Sequence, residues 1–302
     1  MIDDLDNYNE DVKAMTFAWK KQAFQSSFEL NTPELISVGM EDSDHRKMLR
    51  AMHVHDDRLE ILLIRQGNGV HTIDGKTYHT AKGDILIYNC GAIHDEYSST
   101  KLGMNVYSCA LTNLRIKGLK PNCLVPPGRR AVVQSNEHFQ EFEHLYGMMH
   151  ACTKKNDVLS TEIANYLLRA LVVMVYKIVL DQTEDVVPNE QELGKHIKDY
   201  IDAHYKEDIN LKSIADALKV NQYYMAHVFK AMSGYSPMQY VIRRRIGEAQ
   251  SYLLGTNRGI TEIAMMVGYN NANHFHNTFM KIVGMSPGKY RQYWMSDKPI
   301  DK

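Results

Sequence analysis

The strongest constraint on this chain is an internal repeat in its last third. Ile214-Ala215 recurs as Ile263-Ala264, and Phe229-Lys230 through Gly234, Ser236-Pro237 and Tyr240 recurs as Phe279-Met280 through Gly284, Ser286-Pro287 and Tyr290. The offsets are 49 and then 50, so the second copy carries one extra residue. A repeat of this kind is one supersecondary unit built twice. Each copy reads as helix, short turn, helix. In the first, Leu211, Ile214, Ala215 and Leu218 share one side, Lys219-Val220 form the turn, and Asn221 caps a second helix that buries Met225, Val228 and Phe229. In the second, Ile263, Ala264 and Val267 line the first helix and Gly268 sits in the turn. Phe275 and Phe279 anchor a helix starting near Asn270 or Asn271. Ala215 and Ala264 are small enough for the close helix crossing of a helix-turn-helix.

The outward face of each second helix is left to polar residues. These are Gln222, Tyr223, His227 and Lys230, beside the cap Asn221, and then Asn271, Asn273, His276, Asn277 and Lys281. Asn and Gln can pair with adenine edges, and Lys can meet phosphate or guanine, so both faces are expected to bind DNA. A helix from Pro237 to Leu254 would space the two readers, and its Arg243 and Arg244 are added to the expected DNA contacts. The plainer alternative is a helical domain with merely solvated polar faces. Two matched copies with Ser-Pro-x-x-Tyr endings argue against it.

The total charge points the other way. With 35 Lys/Arg and 36 Asp/Glu in 302 residues, a net charge of −1 advertises no nucleic-acid partner. The distribution is uneven, however. Residues 191–302 hold 15 basic and 10 acidic side chains, net +5, while residues 1–190 hold 20 and 26, net −6. At 44% hydrophobic and 24% charged the chain is no low-complexity polymer. Cys90, Cys109, Cys123 and Cys152 form no C-x-x-C pair, so neither a disulfide framework nor a cysteine zinc site is indicated. The N-terminus is acidic where a secretory signal would be basic and then apolar, and the longest apolar run, Leu171 to Tyr176, is too short for a membrane span. A cytoplasmic protein with no membrane partner is expected.

Residues 191–293 resemble the DNA-binding domain of the AraC/XylS family of bacterial transcription regulators. The stretches that carry the likeness are Ile214-Ala215 to Phe229-Lys230 and Ser236-Pro237-Met-Gln-Tyr240 with Arg243-Arg244-Arg245. Ile263-Ala264 to Gly268-Tyr269 and Gly284-Met-Ser286-Pro287-Gly-Lys-Tyr290-Arg291 complete it. The resemblance implies a regulator, favours an activator over a repressor, and brings promoter DNA and RNA polymerase as partners. One departure is that His227 and Asn277 stand where the family often has arginine.

The first half has a different texture. From about Leu35 to Leu114 short β-branched runs such as Leu59–Arg65 and Asp84–Tyr88 alternate with turn signals. Asp74-Gly75 between two alternating segments predicts a hairpin with a type I′ turn. Within this region His53-Val-His55, Glu60, Gly67, Gly83 and His94 resemble the two motifs of the cupin barrel, whose enzymes hold a divalent metal with three histidines and a carboxylate. Sensor domains of the AraC/XylS family often keep such positions around an organic ligand without metal. His53, His55, Glu60, Arg65, Tyr88 and His94 are therefore expected to line a pocket for a small polar effector such as a sugar, with no cofactor required. The alternatives kept open are a metal-sensing regulator, or a metal-dependent cupin enzyme fused to a DNA-binding domain, in which His53, His55, Glu60 and His94 hold the ion. No catalytic residues are assigned.

The expected fold class is thus α+β in two domains, a cupin-like β-barrel with a helical hairpin followed by an all-α double helix-turn-helix. Residues 1–135 form the sensing barrel, with Trp19 and its acidic neighbours as an arm. Residues 136–181 form a helical segment that, by the family resemblance, makes a homodimer, with Leu167, Leu171, Met174 and Ile178 as one seam and packing on the barrel as the other use. Residues 182–190 are the linker and residues 191–302 the DNA-binding domain.

Overall fold

The computed structural model describes residues 32–41, 50–98, 103–155, 157–182 and 190–295. The expected Trp19 arm lies outside the described residues, as does most of the expected linker. Eight strands come first among the described residues: β1 (Glu34–Glu41), β2 (Arg50–His53), β3 (Leu59–Ile73), β4 (Lys76–Ala81), β5 (Asp84–Tyr88), β6 (His94–Ser98), β7 (Met104–Thr112) and β8 (Val132–Gln134). All pairings are antiparallel. The long β3 joins two layers, because its first half pairs with β5 and β7 and its second half with β4 and β6. One layer then runs β1-β7-β3-β5-β8 and the other β2-β6-β3-β4, which makes the barrel.

The predicted hairpin is present. Ile73 pairs with Lys76, and the intervening Asp74 and Gly75 have φ of 48° and 82°, as a type I′ turn requires. Alternation along β3 sends Leu59, Ile61 and Leu63 outward into one core, and Leu62 and Ile64 inward against Tyr78, Tyr88, Met104 and Val106. The strand is apolar on both faces because helices cover the outer one. Those helices are α1 (Phe139–Thr153) and α2 (Val158–Leu180). Asp157 caps α2 by accepting from Ser160 N at 2.9 Å.

By length and composition α2 could cross a membrane, yet Leu168, Leu171, Val172, Val175 and Val179 are buried in the core shared with the barrel. The expected dimer seam is corrected by the same core. Leu171 is fully buried in it and Leu167, Met174 and Ile178 pack against it, so these four residues serve the sensor's own fold.

The last third is helical throughout: α3 (Glu190–His204), α4 (Leu211–Leu218), α5 (Gln222–Ser233), α6 (Pro237–Gly255), α7 (Ile260–Met266), α8 (Ala272–Val283) and α9 (Pro287–Met295). Helices α4–α5 and α7–α8 are the two helix-turn-helix units. Their cores are separate, with Ile214, Ala215, Met225 and Phe229 in one and Ile263, Ala264, Phe275 and Phe279 in the other. Helix α6 spans both, contributing Tyr240 and Val241 to the first and Ile246, Ala249 and Leu253 to the second. It opens on a capping box, in which Ser236 Oγ accepts from Gln239 N and Gln239 Oε1 accepts from Ser236 N.

Candidate functional site

The end of β2, the turn after it and the starts of β3 and β6 converge on one point in the barrel. His53 and His94 are cross-strand partners, both 1% exposed. His55 Nε2 lies 3.3 Å from Glu60 Oε1, and His94 Nε2 lies 3.7 Å from Glu60 Oε2. One ligand atom from each of the four residues falls within 4.8 Å of all the others. Two of the rings are oriented from behind, since His53 Nδ1 bonds Ala51 O at 3.0 Å and His94 Nδ1 bonds Ala92 O at 2.9 Å. A carbonyl only accepts, which assigns the proton of each neutral ring to Nδ1 and leaves Nε2 with its lone pair. The set can accept hydrogen bonds from a polyhydroxylated ligand, or hold a first-row divalent ion.

Tyr88 belongs with this cluster. Its ring stacks on His94 at 3.9 Å between centroids, and its hydroxyl lies 3.3 Å from His71 Nδ1. His71, fully buried on β3, is a further interior histidine, outside the set expected from the sequence. Arg65 is a correction. It lies an odd number of positions from Glu60 along β3 and so faces outward, where it pairs with Glu143 of α1 at 2.9 Å and sits over the Tyr107 ring. On its other side the cluster opens through His55 into a cleft of about 1040 Å³ between barrel and helical domain, lined also by Arg58, Lys198, Asp202 and Arg244.

The residues expected to read DNA lie on α5 and α8. Tyr223, His227 and Lys230 are exposed on α5 and Gln222 is half-buried at its first turn; Asn273, Asn277 and Lys281 are exposed on α8, with His276 half-buried. Tyr224 and His274, also exposed, lie in the first turns of the same two helices. Asn221 and Asn271 are N-caps, each with its side-chain oxygen accepting two backbone N–H groups of its own helix. That oxygen is committed to the helix end, so the amide pair with adenine is not open to either residue without breaking the cap.

Arg244 is a second correction. It is 4% exposed, donates to Asp202 Oδ1 at 3.2 Å and to Met52 O at 3.4 Å, and so faces the sensor instead of DNA. Arg243 is half-buried over the Tyr235 ring at 4.4 Å. Tyr235 in turn donates to Asp95 of the barrel at 3.1 Å. Burial, with Asp95 beside it, pushes the Tyr235 hydroxyl up to about 12, and burial also raises Asp95 above its ordinary value.

Comparison with known proteins fits both halves. Residues 39–172 match the AraC-like ligand binding domain and residues 214–293 match a helix-turn-helix domain. The chain is 28% identical over 254 residues to the HTH-type transcriptional regulator YdiP of Escherichia coli K12, across 83% of this chain and 84% of that one. It is 23% identical over 252 residues to the HTH-type transcriptional activator RhaS of Escherichia coli SMS-3-5, across 79% and 86%. It is 22% identical over 234 residues to the lactose operon transcription activator of Staphylococcus xylosus, across 77% and 83%. With a ligand-binding barrel and paired helix-turn-helix units joined in one chain, the protein belongs to the AraC family of ligand-responsive, DNA-binding transcription regulators.

Proposed function

We propose that this regulator senses a small polar ligand at the His53, His55, Glu60, Tyr88 and His94 cluster and activates transcription from a promoter gripped by its two reader faces. The observation that carries the reading is the convergence of three imidazoles and one carboxylate within 4.8 Å, at the edge of an interdomain cleft. Convergent polar groups in an apolar barrel are what orient a small ligand. A sugar is favoured because one relative is named for a lactose operon. The reading includes no catalytic step. It places the protein in the cytoplasm, with promoter DNA and RNA polymerase as partners, Gln222, Tyr223, His227 and Lys230 on one major-groove segment, and Asn273, His276, Asn277 and Lys281 on the next.

A thermal-shift screen of sugars and other polar metabolites tests this. A ligand at a hundred times its Kd stabilises by about 2.7 kcal/mol, a rise of roughly 5–10 °C for a domain of this size. The shift should vanish in Glu60→Gln. A shift that persists in both Glu60→Gln and His94→Ala would place the ligand elsewhere.

We also infer a homodimer, through a face of α2 other than the expected seam. Leu159, Ile163, Tyr166, Ala170, Val173 and Leu180 are exposed and recur at helical spacing, with Tyr166 at 58% and Val173 at 50%. Val173→Asp should convert a dimer to a monomer in light scattering at micromolar concentration without unfolding it. An unchanged dimer would exclude this stripe as the interface.

A further inference from the structure

We propose a second ligand site, covered by the connection between β7 and β8 and suited to a phosphate monoester with an apolar body. It shares no lining residue with the barrel cluster or with the cleft at His55, so it stands or falls apart from the sensing site proposed above.

The charge pattern marks the segment. Residues 113–136 hold five basic side chains, Arg115, Lys117, Lys120, Arg129 and Arg130, and no Asp or Glu, inside a half of the chain whose net charge is −6. Strand β7 ends at Thr112 and β8 begins at Val132, so 19 residues connect them. Connections of that length within a compact domain usually carry a function when they are ordered. This one is fixed from below by two asparagines. Asn89 Oδ1 accepts from Leu124 N at 2.8 Å and Val125 N at 3.1 Å, and its Nδ2 donates to Val125 O at 2.9 Å. Asn122 Oδ1 accepts from Leu114 N at 3.0 Å, and its Nδ2 donates to Asp57 O at 3.0 Å.

Against this connection lies a cavity of about 570 Å³, a size usual for small-molecule sites. Four cations from separate segments line it: Lys76 of β4, Lys120 and Arg129 of the connection, and Lys195 of α3. The one carboxylate among the lining residues, Asp74, already accepts from Ile93 N at 3.1 Å and lies 3.5 Å from Lys198 Nζ. Four like charges around one concavity repel each other and focus a positive potential in it, which a bound anion relieves. The turn Pro126-Pro127-Gly128-Arg129 closes with Arg129 N donating to Pro126 O at 3.2 Å and Gly128 at a φ of 81°, which fixes the backbone of Arg129 at the cavity. The planar fork of arginine matches two oxygens of one phosphate. Much of the remaining wall is apolar, with Tyr78, Ile87, Leu119, Val125 and Pro126. Cations beside an apolar wall fit a charged head on an apolar body. A phosphate monoester brings nearly two negative charges at neutral pH where a carboxylate brings one.

Isothermal titration calorimetry of the full-length chain with phenyl phosphate tests the site. Binding is expected at low salt and should weaken as salt is raised. Inorganic phosphate, which has no apolar body, and benzoate, which has one charge fewer, should each bind about tenfold or more weakly. Arg129→Gln should weaken phenyl phosphate roughly 10- to 150-fold, the worth of a hydrogen bond between charged groups. Lys120→Gln, at an exposed position that leaves the fold intact, should weaken it about fivefold. Because phosphate can also meet the lysines of the readers, hydrogen–deuterium exchange locates the site: phenyl phosphate should slow exchange in residues 113–131 and leave α5 and α8 unchanged. No binding, equal binding by both variants, or protection of α5 or α8 without residues 113–131 overturns the site. Inorganic phosphate or benzoate binding as tightly as phenyl phosphate overturns the ligand class. Glu60→Gln should leave phenyl phosphate binding intact, so failure of this site and failure of the barrel site are read separately.

Discussion

Asp202→Ala is expected to destabilise the reader by about 3–5 kcal/mol, seen as a lower midpoint in urea or thermal unfolding. Asp202, on α3, accepts from Arg244 Nε at 3.2 Å and Tyr240 Oη at 3.2 Å and pairs with Lys198 Nζ at 3.1 Å. Arg244 and Lys198 have side chains only 5% and 11% exposed, so the variant leaves two desolvated cations with one fewer anion. Burial holds the Asp202 carboxyl above its ordinary value in spite of both cations, which marks the desolvation as the larger effect. Removing charge from both sides at once, with Asp202→Leu and Arg244→Met, should therefore cost much less than either single change. A loss below about 1 kcal/mol in Asp202→Ala would mean that water or Asp74, 3.5 Å from Lys198, replaces the missing carboxylate.

The second large effect falls on DNA. Gln222→Ala and Asn273→Ala are each expected to lower affinity for the cognate promoter by roughly 5- to 150-fold, since one bidentate amide–adenine pair is worth about 1–3 kcal/mol. Circular dichroism should not change, because both positions lie at the first turn of a helix, outside the cores. Lys230→Ala and Lys281→Ala should instead weaken binding to all sequences and flatten its salt dependence. With only +5 on residues 191–302, one chain gains modest phosphate attraction, so two chains on paired sites are expected to bind far more tightly than one. Equal affinity of Gln222→Ala, Asn273→Ala and the parent chain would show that the readers contact bases through other residues.

What was legible in the sequence was what repeats or alternates locally. The duplicated Ile-Ala, Phe and Ser-Pro-x-x-Tyr positions gave both reader units because each marks a buried contact or a cap in its own unit. Asp74-Gly75 gave the hairpin because few other dipeptides tolerate two positive φ angles. The His53, His55, Glu60 and His94 spacing found residues that the barrel does bring together.

The misplacements have physical causes. The chemistry of Arg65 suits the pocket, but its parity relative to Glu60 puts it on the opposite face of β3. Arg244 belongs to a basic run but follows the buried Tyr240 by four residues and so shares its helix face. The expected α2 seam is the helix's most apolar stripe, and on a helix covering a barrel that is the stripe the barrel takes. Docking of β2 on α6, where Gln250 Oε1 accepts from Ala51 N at 2.8 Å, left almost no trace, because its partners are nearly 200 residues apart in sequence. A glycine inside a helix, at 247, where a Cβ would collide with Met52 O, was the one local sign.

The most direct measurement of the central claim is selection of bound sequences from a random duplex pool by the full-length protein, with and without its effector. Two recognition elements are expected for each chain, centred about one helical turn apart, roughly 34 Å, on one face of the duplex. Gln222→Ala should erase the sequence preference at one element and Asn273→Ala at the other, and the effector should change the recovered affinity. A single element untouched by both substitutions, or recovery indifferent to every effector that stabilises the barrel, would contradict a ligand-responsive regulator with two readers in one chain.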